Sequence, residues 1–331
     1  SIKLLNEIGF NKQDELEKFN PEKIDFYSIN NSKKICELSI SDFNSENCKY
    51  TTLKRSILIN FLKKDLEDLI KTAYNILKID QQNQQIKLSF ENNEVKECDY
   101  LIISDGVFSK SKSLISNNQI KPKFNNTLAI RGTIIKTPEN IDNKNISLFL
   151  GSNYHHVIYP VSPNGEFNFI AIIKYKLSIE EQKNYSLFSE NFFIKKVLDK
   201  IPLSNKEILN NLKELKIFPV FVSNDFYQLQ NNNIHFIGDA FFAYQPSFAQ
   251  GASQSIEGAY ELFKSIENNT ENKFFTNRVK KTKMVKNRSK FNQFAFHLSN
   301  PFTIFLRNIF LKRLVKNNKF LENYLGKIYR N

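Results

Sequence analysis

The stretch HFIGDAFFAYQPSFAQGASQSIEGAYEL, residues 235–262, joins a short apolar run to a segment with helical spacing of apolar residues. The run ends at Gly238-Asp239, and Gly251 stands where the helical pattern begins. Glycine lets the backbone approach a ligand closely, and the first turn of a helix offers free N–H groups to an electron-rich group. The stretch therefore predicts a strand–turn–helix unit with a ligand beyond the carboxyl end of the strand.

A second apolar run of the same kind, CDYLIIS at 98–104, ends at Asp105-Gly106. Its continuous apolar character predicts a parallel strand that is buried on both faces. An aspartate at such a strand end accepts hydrogen bonds from sugar or polyol hydroxyls. Each strand end alone is a weak signal, and the two together with the helix start are much more specific.

The remaining pattern alternates between strand and helix signals. Short strands are predicted at 23–30 and 33–40, a helix at 55–70, and a hairpin at 84–97. The β-rich runs within 127–174 predict an antiparallel sheet that separates the two buried strands. The economical interpretation is an α/β fold in which a discontinuous domain receives a β-rich insertion.

Composition excludes several classes of protein. The chain has 331 residues, a net charge of +13, three cysteines and four histidines. The lysines are scattered and accompany no nucleic-acid motif, so no nucleic-acid partner is expected. The histidines and cysteines have no metal-ligand spacing, so no metal site is expected. Three unpaired cysteines fit a reducing, cytoplasmic compartment.

Several motifs resemble those of the FAD-dependent aromatic-ring hydroxylases (class A flavoprotein monooxygenases), in particular the salicylate hydroxylase-like branch. GDAFFAYQPSFAQGASQSIEGA is similar to the family's GDAAHxxxPxxxQGAxxxxEDA, and CDYLIISDGVFSKSKSLI is similar to its ADxxxGADGxxSxVR. LKRSILINFL resembles HRxxLxxxL, and NRVKKTKMVKNRSKFNQFAFH resembles the Rxx(R/K)xxxVxxxS…H helix of that branch. The resemblance covers nearly the whole chain.

The resemblance implies a discontinuous, Rossmann-like FAD-binding domain at 1–122 and 222–270. It also implies an inserted antiparallel β-sheet substrate domain at 123–221 and a C-terminal helical segment at 271–331. The activity implied is monooxygenation of a small aromatic substrate, a phenolic or carboxylated ring, with FAD as cofactor, NAD(P)H as co-substrate and O2 as oxidant.

Site residues follow from the matched motifs. The residues implied to contact the cofactor are Arg55, Asp105, Gly106, Gly238, Asp239, Gly251, Ala252 and Ser253. Pro246 is implied to line the flavin and the substrate.

His155 and Tyr159 are candidate catalytic residues because a spacing of four on one strand places them on the same face. If that face looks toward the flavin, they would orient or deprotonate a phenolic substrate. Arg131, on the preceding strand, would bind a substrate carboxylate. The alternatives are a histidine that packs on the sheet and an exposed strand arginine.

The chain departs from the family pattern at several positions. Phe241-Phe242 replace the Ala-His after GDA, and Gly258 replaces the Asp after Glu257. No GxGxxG occurs, although the family carries it upstream of the region matched by the start of this chain. We expect an N-terminally truncated sequence, and the alternative is an inactive remnant of the flavin fold.

The C-terminal segment NPFTIFLRNIFLKRLVKNNKFLENYLGKIY is apolar and basic. One interpretation is that it covers the protein's own core. The other is contact with a membrane surface, which would suit a hydroxylase or epoxidase of lipid-like substrates with the same fold. The expected location is cytoplasmic, with peripheral attachment to the inner face of the membrane as the alternative.

Overall fold

The structure is a computed structural model, and it describes residues 1–13, 17–82, 85–117, 120–134, 141–202, 206–229 and 233–329. The chain divides into two compact units. Unit 1 comprises Ser1, 63–125 and 221–290, and unit 2 comprises 2–62, 126–220 and 291–331. The mixed α/β class expected from the sequence is confirmed, and unit 1 is discontinuous along the chain.

The strands are β1 (Lys18–Phe19), β2 (Lys23–Ser28), β3 (Lys34–Ser39), β4 (Thr52–Leu53), β5 (Ile76–Gln82), β6 (Gln85–Phe90), β7 (Val95–Cys98), β8 (Leu101–Ile103), β9 (Lys123–Ile134), β10 (Ile146–Gly151), β11 (Tyr154–Pro160), β12 (Phe167–Lys174), β13 (Lys213–Val222) and β14 (Ile234–Phe236). The α-helices are α1 (Ile2–Glu7), α2 (Arg55–Lys63), α3 (Lys110–Ile115), α4 (Ile179–Lys183), α5 (Asn191–Leu198), α6 (Lys206–Asn210), α7 (Gly238–Phe241), α8 (Gly251–Glu267), α9 (Glu271–Phe296), α10 (Pro301–Leu314), α11 (Asn318–Leu321) and α12 (Lys327–Tyr329).

Unit 1 contains two small sheets. β5, β6 and β7 pair antiparallel, and the turn between β6 and β7 places Asn93 at a φ of 65°, which confirms the predicted hairpin. β8 and β14 pair parallel, with Ile234 opposite Leu101 and Phe236 opposite Ile103. The prediction that 98–104 contains a parallel strand is therefore confirmed, and its partner is β14.

The expectation that 98–104 is buried on both faces is wrong. Ile103 is buried, whereas the side chain of Ile102 is 47% exposed. β8 is short and pairs with β14 at one edge. The continuous apolar run at 98–104 therefore forms a strand with one buried and one exposed face.

Unit 2 is organised around a sheet that, in the described residues, has the strand order β13-β9-β12-β11-β10-β2-β3. The predicted antiparallel pairing is confirmed for β9 with β12, β12 with β11 and β11 with β10. The sheet is larger than expected, because β2 pairs parallel with β10 and antiparallel with β3. The strands predicted at 23–30 and 33–40 form at 23–28 and 34–39, but their membership of this sheet was not predicted.

The predicted helix at 55–70 is too long. α2 ends at Lys63, and Asp65 adopts a left-handed φ of 66°, which stops the helical hydrogen bonding. No residue of α2 is buried, and Leu69 is 78% exposed beyond it. The leucine pattern therefore predicted the start of this helix correctly and its length incorrectly.

The C-terminal helices of unit 2 pack on one face of the sheet. Phe296, Leu311 and Leu321 share an apolar cluster with Phe26 and Leu148 of the sheet. No helix in the described part of the chain has the length and apolar character needed to cross a bilayer. The two units are defined by contacts between residues. The ranges of the FAD-binding and substrate domains, which were expected from the resemblance, stay a prediction.

Candidate functional site

Two of the predicted turns lie at the same end of the β8/β14 pair. Asp105-Gly106 follows β8, Gly238-Asp239 follows β14, and the strands run parallel. The pairing continues past β14, where the N–H of Ile237 donates to the carbonyl of Ile103 at 3.0 Å. The structure therefore brings four predicted cofactor residues to the carboxyl edge of one strand pair in unit 1.

The glycines at these turns have a conformational reason. Gly106 and Gly238 have φ values of 86° and 60°, in the left-handed region that side chains rarely adopt. A Cβ at Gly238 would also lie 3.1 Å from the Oγ of Ser255 on α8. Gly238 therefore allows the turn after β14 to approach the first turns of α8.

The two aspartates at these turns are both exposed. Asp105 is exposed, and its Oδ2 accepts a hydrogen bond of 3.0 Å from the N–H of Ser111 at the start of α3. Ser109 caps the same helix by accepting from the N–H of Lys112 at 2.9 Å. Asp239 is exposed in the first turn of α7. Asp105 thus stabilises the start of α3, and both aspartates are accessible from solvent.

The start of α8 lacks a side-chain cap. Gln250 occupies the N-cap position without a capping hydrogen bond from its side chain, and the backbone bonding begins with the N–H of Gln254 at 2.9 Å from the Gln250 carbonyl. Gly251, Ala252 and Ser253 form the first turn. A Cβ at Gly251 would meet nothing within 4 Å, so the turn is open at this residue, whereas the Oγ of Ser253 lies 3.2 Å from the Oγ of Ser1. Open N–H groups at the positive end of a 17-residue helix favour an anionic or electron-rich group.

Pro246 begins a 3-10 turn, Pro246–Phe248, that leads into α8. The turn closes with Ala249 at a left-handed φ of 50°. Pro246 is partly exposed, and it lies in unit 1 with the predicted cofactor residues of the two strand ends.

An ionic network supports α8 from the α9 side, and its residues were not named as site residues from the sequence. Arg278 is 3% exposed, and its Nη2 donates to the carbonyl and, at 3.0 Å, to the side-chain Oε1 of Gln254. Its Nη1 lies 3.3 Å from Glu261, and Lys281 lies 3.1 Å from Glu257. The network fixes α8 through its buried side.

The replacement of an aspartate by Gly258 has a physical reason in this network. A Cβ at Gly258 would lie 3.2 Å from the Nε of Arg278. A side chain at this position would therefore require the Arg278 side chain to shift by a few tenths of an ångström. The sequence signal for this network was the motif Rxx(R/K)xxxVxxxS, which begins with Arg278 and Lys281. Its later positions, Val285 and Ser289, are also buried, at 0% and 1% exposure.

Phe241 and Phe242, which replace Ala-His, belong to the core of unit 1. Their side chains are 8% and 2% exposed. The ring of Phe242 stacks on that of Phe226 at 4.8 Å, and Phe241 contacts the ring of Phe275 at 5.9 Å. The replacement exchanges a polar group for aromatic packing.

The remaining predicted residues lie in unit 2. Arg55 is exposed at the first position of α2. Arg131 is exposed on β9, with its guanidinium 5.9 Å from the ring centre of Phe218. Tyr159 on β11 accepts a hydrogen bond of 2.5 Å from the Nδ2 of Asn168. The strand registers place Arg131 and Tyr159 on the same face of the sheet.

His155 is packed between the sheet and the end of α9. It is 3% exposed, its Nδ1 lies 2.7 Å from the Nε2 of His297, and its ring meets Phe296 edge-on at 5.2 Å. Burial, followed by the neighbouring His297 and His156, holds the pKa of His155 well below its usual value. Burial also lowers the pKa of His297 to about 4. The catalytic roles of His155 and Tyr159 stay a prediction.

His156 was given no role from the sequence. It is fully buried on the opposite face of β11, and its ring stacks on Phe149 at 4.4 Å and on Phe169 at 5.4 Å. Neither ring nitrogen has a hydrogen-bond partner among the described residues, and burial lowers the pKa to about 3. The sequence contained a signal for this placement. His155 and His156 are adjacent on a strand, where neighbouring side chains point to opposite faces, so His156 lies on the face opposite to His155.

No protein-family model matches the chain. The chain is 24% identical over 241 residues to the salicylate hydroxylase of Pseudomonas putida, a match covering 64% of the chain and 53% of the relative. It is 22% identical over 205 residues to the chloroplastic zeaxanthin epoxidase of an Oncidium hybrid cultivar, covering 61% of the chain and 30% of that relative. The matches thus span about half or less of the length of these relatives.

Among solved structures, Klebsiella pneumoniae HpxO in complex with FAD and uric acid has a TM-score of 0.82 and 13% identity, covering 99% of this chain and 85% of HpxO. This likeness establishes the fold. Together with the sequence similarity to salicylate hydroxylase, it confirms the resemblance to the FAD-dependent aromatic-ring hydroxylases.

Proposed function

We propose that the protein is an FAD-dependent monooxygenase that hydroxylates a small aromatic substrate with NAD(P)H and O2. The observation that carries the proposal is the arrangement in unit 1 of two glycine–aspartate strand ends next to the uncapped start of α8. Its similarity to a salicylate hydroxylase and its fold likeness to an FAD complex support the same function.

The residues of unit 1 fit a flavin nucleotide. Asp239 would accept hydrogen bonds from ribityl hydroxyls, and the N–H groups of Gly251, Ala252 and Ser253 would face the electron-rich edge of the ring system. Gly106 and Gly238 would let the backbone approach the phosphate region. Once bound, the flavin supplies the electron transfer from NAD(P)H and the activation of O2. The chain supplies orientation and the positive helix end.

The first experiment measures flavin binding. FAD is titrated into the protein while flavin fluorescence is followed, and the Asp239→Asn variant is compared with Asp99→Asn. Both aspartates are exposed, but only Asp239 follows β14. We expect Asp239→Asn to weaken FAD binding by roughly tenfold, about the value of one charge-assisted hydrogen bond, and Asp99→Asn to leave it unchanged. Protein that leaves flavin fluorescence unaltered at saturating FAD would contradict the proposal.

The second experiment measures turnover. NADH or NADPH oxidation and O2 consumption are recorded with FAD-loaded protein and a series of phenols and benzoates. The proposal requires that a ring substrate raises both rates and yields a hydroxylated product by mass spectrometry. A flavin-loaded protein that forms no hydroxylated product from any ring in the series would argue against monooxygenation.

Arg131 is proposed to recognise a carboxylate on the substrate, since it is an exposed cation on the same sheet face as Tyr159. The Arg131→Gln variant should raise KM for carboxylated rings by about tenfold or more and leave KM for neutral phenols unchanged. Lys123→Gln, on the same strand, is the matched control. Equal effects on both substrate types would remove Arg131 from substrate recognition.

A second candidate function is hydroxylation or epoxidation of a lipid-like ring substrate by the same chemistry. It is favoured by the sequence similarity to zeaxanthin epoxidase. Product formation from a hydrophobic isoprenoid ring in detergent, with none from soluble phenols, would select it over the first. Flavin binding is common to both functions and is absent from the third alternative, an inactive remnant.

A further inference from the structure

The distribution of charge along the chain is strongly uneven. Between Glu271 and Glu322 the sequence contains thirteen lysines and arginines and no aspartate or glutamate. The same segment contains nine phenylalanines. The net charge of the whole protein is +13, so this segment carries an excess of positive charge equal to that of the entire chain.

Among the described residues, one side of α10 packs on the protein's own core. Leu311 and Val315 pack against the apolar cluster of the unit 2 sheet. Arg307 is buried, and its Nη1 donates to the carbonyl of Ala295 at 3.3 Å, which ties α10 to the end of α9. The helix is therefore fixed with a defined outward face.

That outward face carries large apolar side chains. Phe302 is 67% exposed and Phe305 is 60% exposed on α10. On the other side of the turn at 297–300, Phe291 and Phe294 of α9 are 57% and 66% exposed. A helix with apolar residues on both its core face and its exposed face is typical of one that meets a second apolar phase.

Cations continue the same helical face. Lys312 and Arg313 are exposed and lie seven and eight residues after Phe305, which is two helical turns further along the same face. Lys316 is also exposed, just beyond the end of α10. The face is thus aromatic in the first half of α10 and basic in its last turn. We call Phe302, Phe305, Lys312 and Arg313, which share the outward face of α10, the C-terminal surface.

We propose that the C-terminal surface docks the protein on an anionic lipid bilayer, with the phenylalanines in the interfacial layer and the cations at the lipid headgroups. An amphipathic binding face of this kind gains from buried apolar area and from attraction to anionic lipid. A second copy of the chain would bring like charges together. Proteins that bind single-stranded RNA interleave aromatic residues with cations. On α10 the aromatic residues and the cations are instead separated along the helix. The proposal does not depend on the catalytic function.

The test is sedimentation of the full chain with vesicles. One set contains phosphatidylcholine alone, and the other contains equimolar phosphatidylcholine and phosphatidylserine. We expect cosedimentation with the anionic vesicles only, weakened by high salt because salt screens charges at the surface. Binding of equal strength to both sets would overturn the proposal.

Variants separate the two parts of the surface. Phe302→Ser with Phe305→Ser should lower the partition coefficient by roughly tenfold or more, since each phenylalanine loses its apolar burial. Phe263→Ser and Phe192→Ser remove phenylalanines that are 57% and 66% exposed elsewhere, and they should have no effect.

The charge variant is Lys312→Gln with Arg313→Gln, and each lost cation should weaken binding by about fivefold. Lys213→Gln with Lys216→Gln is the matched control, because both lysines are exposed on β13. Thermal melting checks that each variant is folded, and Phe305→Ser alone replaces the double variant if the latter is not.

Two results would assign the surface to another partner. Concentration-dependent self-association that is lost in the phenylalanine variant would identify a second copy of the chain. Competition by oligouridylate, with binding unaffected by the phenylalanine variant, would identify nucleic acid. Either result would overturn membrane docking.

Discussion

The two units hold their predicted functional residues in different kinds of local structure. In unit 1 they stand on turns after β8 and β14 and at the start of α8, where Asp239 and Ala252 are exposed. In unit 2 two of them stand within β11, where His155 is 3% exposed and Tyr159 is partly buried. Turns beyond strand ends keep their polar groups accessible, whereas a strand residue is buried whenever its face is covered.

The largest effect is expected from Arg278, which supports the helix of unit 1. Arg278→Met removes a buried cation from Gln254 and Glu261, and it should lower the free energy of unfolding by about 3–5 kcal/mol. Urea unfolding at neutral pH measures this. Lys280→Met, an exposed neighbour, should change stability by less than about 0.5 kcal/mol. Similar losses in both variants would mean that the network contributes nothing specific.

A pH titration tests the buried histidines of unit 2. In the unfolded chain a histidine takes up a proton near pH 6.5, whereas the folded His297 and His156 have pKa values of about 4 and about 3. As the pH falls below about 6.5 the unfolded state binds more protons, so stability falls, by up to about 1.4 kcal/mol per pH unit for each histidine. His156→Phe should reduce this slope, as measured by urea unfolding at several pH values. An unchanged slope would show that His156 titrates normally in the folded protein.

Two glycines of α8 distinguish the buried side of this helix from its open start. Gly258→Ala places a methyl group 3.2 Å from Arg278 and should destabilise by about 1–3 kcal/mol. Gly251→Ala meets nothing within 4 Å and should leave stability within about 0.5 kcal/mol of the parent. Thermal melting of the two variants gives the comparison, and a larger loss at Gly251 would contradict the described packing.

A small effect is expected at His156. His156→Phe removes an imidazole that has no hydrogen-bond partner among the described residues, and at neutral pH it should change stability by no more than about 1 kcal/mol. His155→Phe should cost more, about 1–3 kcal/mol, because it leaves the ring nitrogen of His297 without its partner. Equal costs for the two neighbours would remove the distinction between the two faces of β11.

The sequence was most informative where chemistry and geometry are local. Glycines at 106 and 238, each beside an aspartate at the end of an apolar run, predicted two turns that the structure places at one edge of a parallel pair. The hairpin with Asn93 at its turn was predicted for the same reason, since a left-handed turn residue is a local requirement. Helix length was less predictable, because α2 ends at Lys63, seven residues before the predicted end at residue 70, and Asp65 then adopts a left-handed φ of 66°.

The sequence by itself determined the α/β class, the two strand ends, the open start of α8 and the resemblance to flavin-dependent hydroxylases. Tertiary structure decided what covers each surface. The period of two placed His155 and Tyr159 on one face of β11, but Phe296 and His297, which cover His155, come from the distant end of α9. The tight space at Gly258 likewise depends on Arg278, which lies 20 residues further along the chain and comes close only in the folded protein. Local rules fix which residues share a face, and burial depends on segments far away in the sequence.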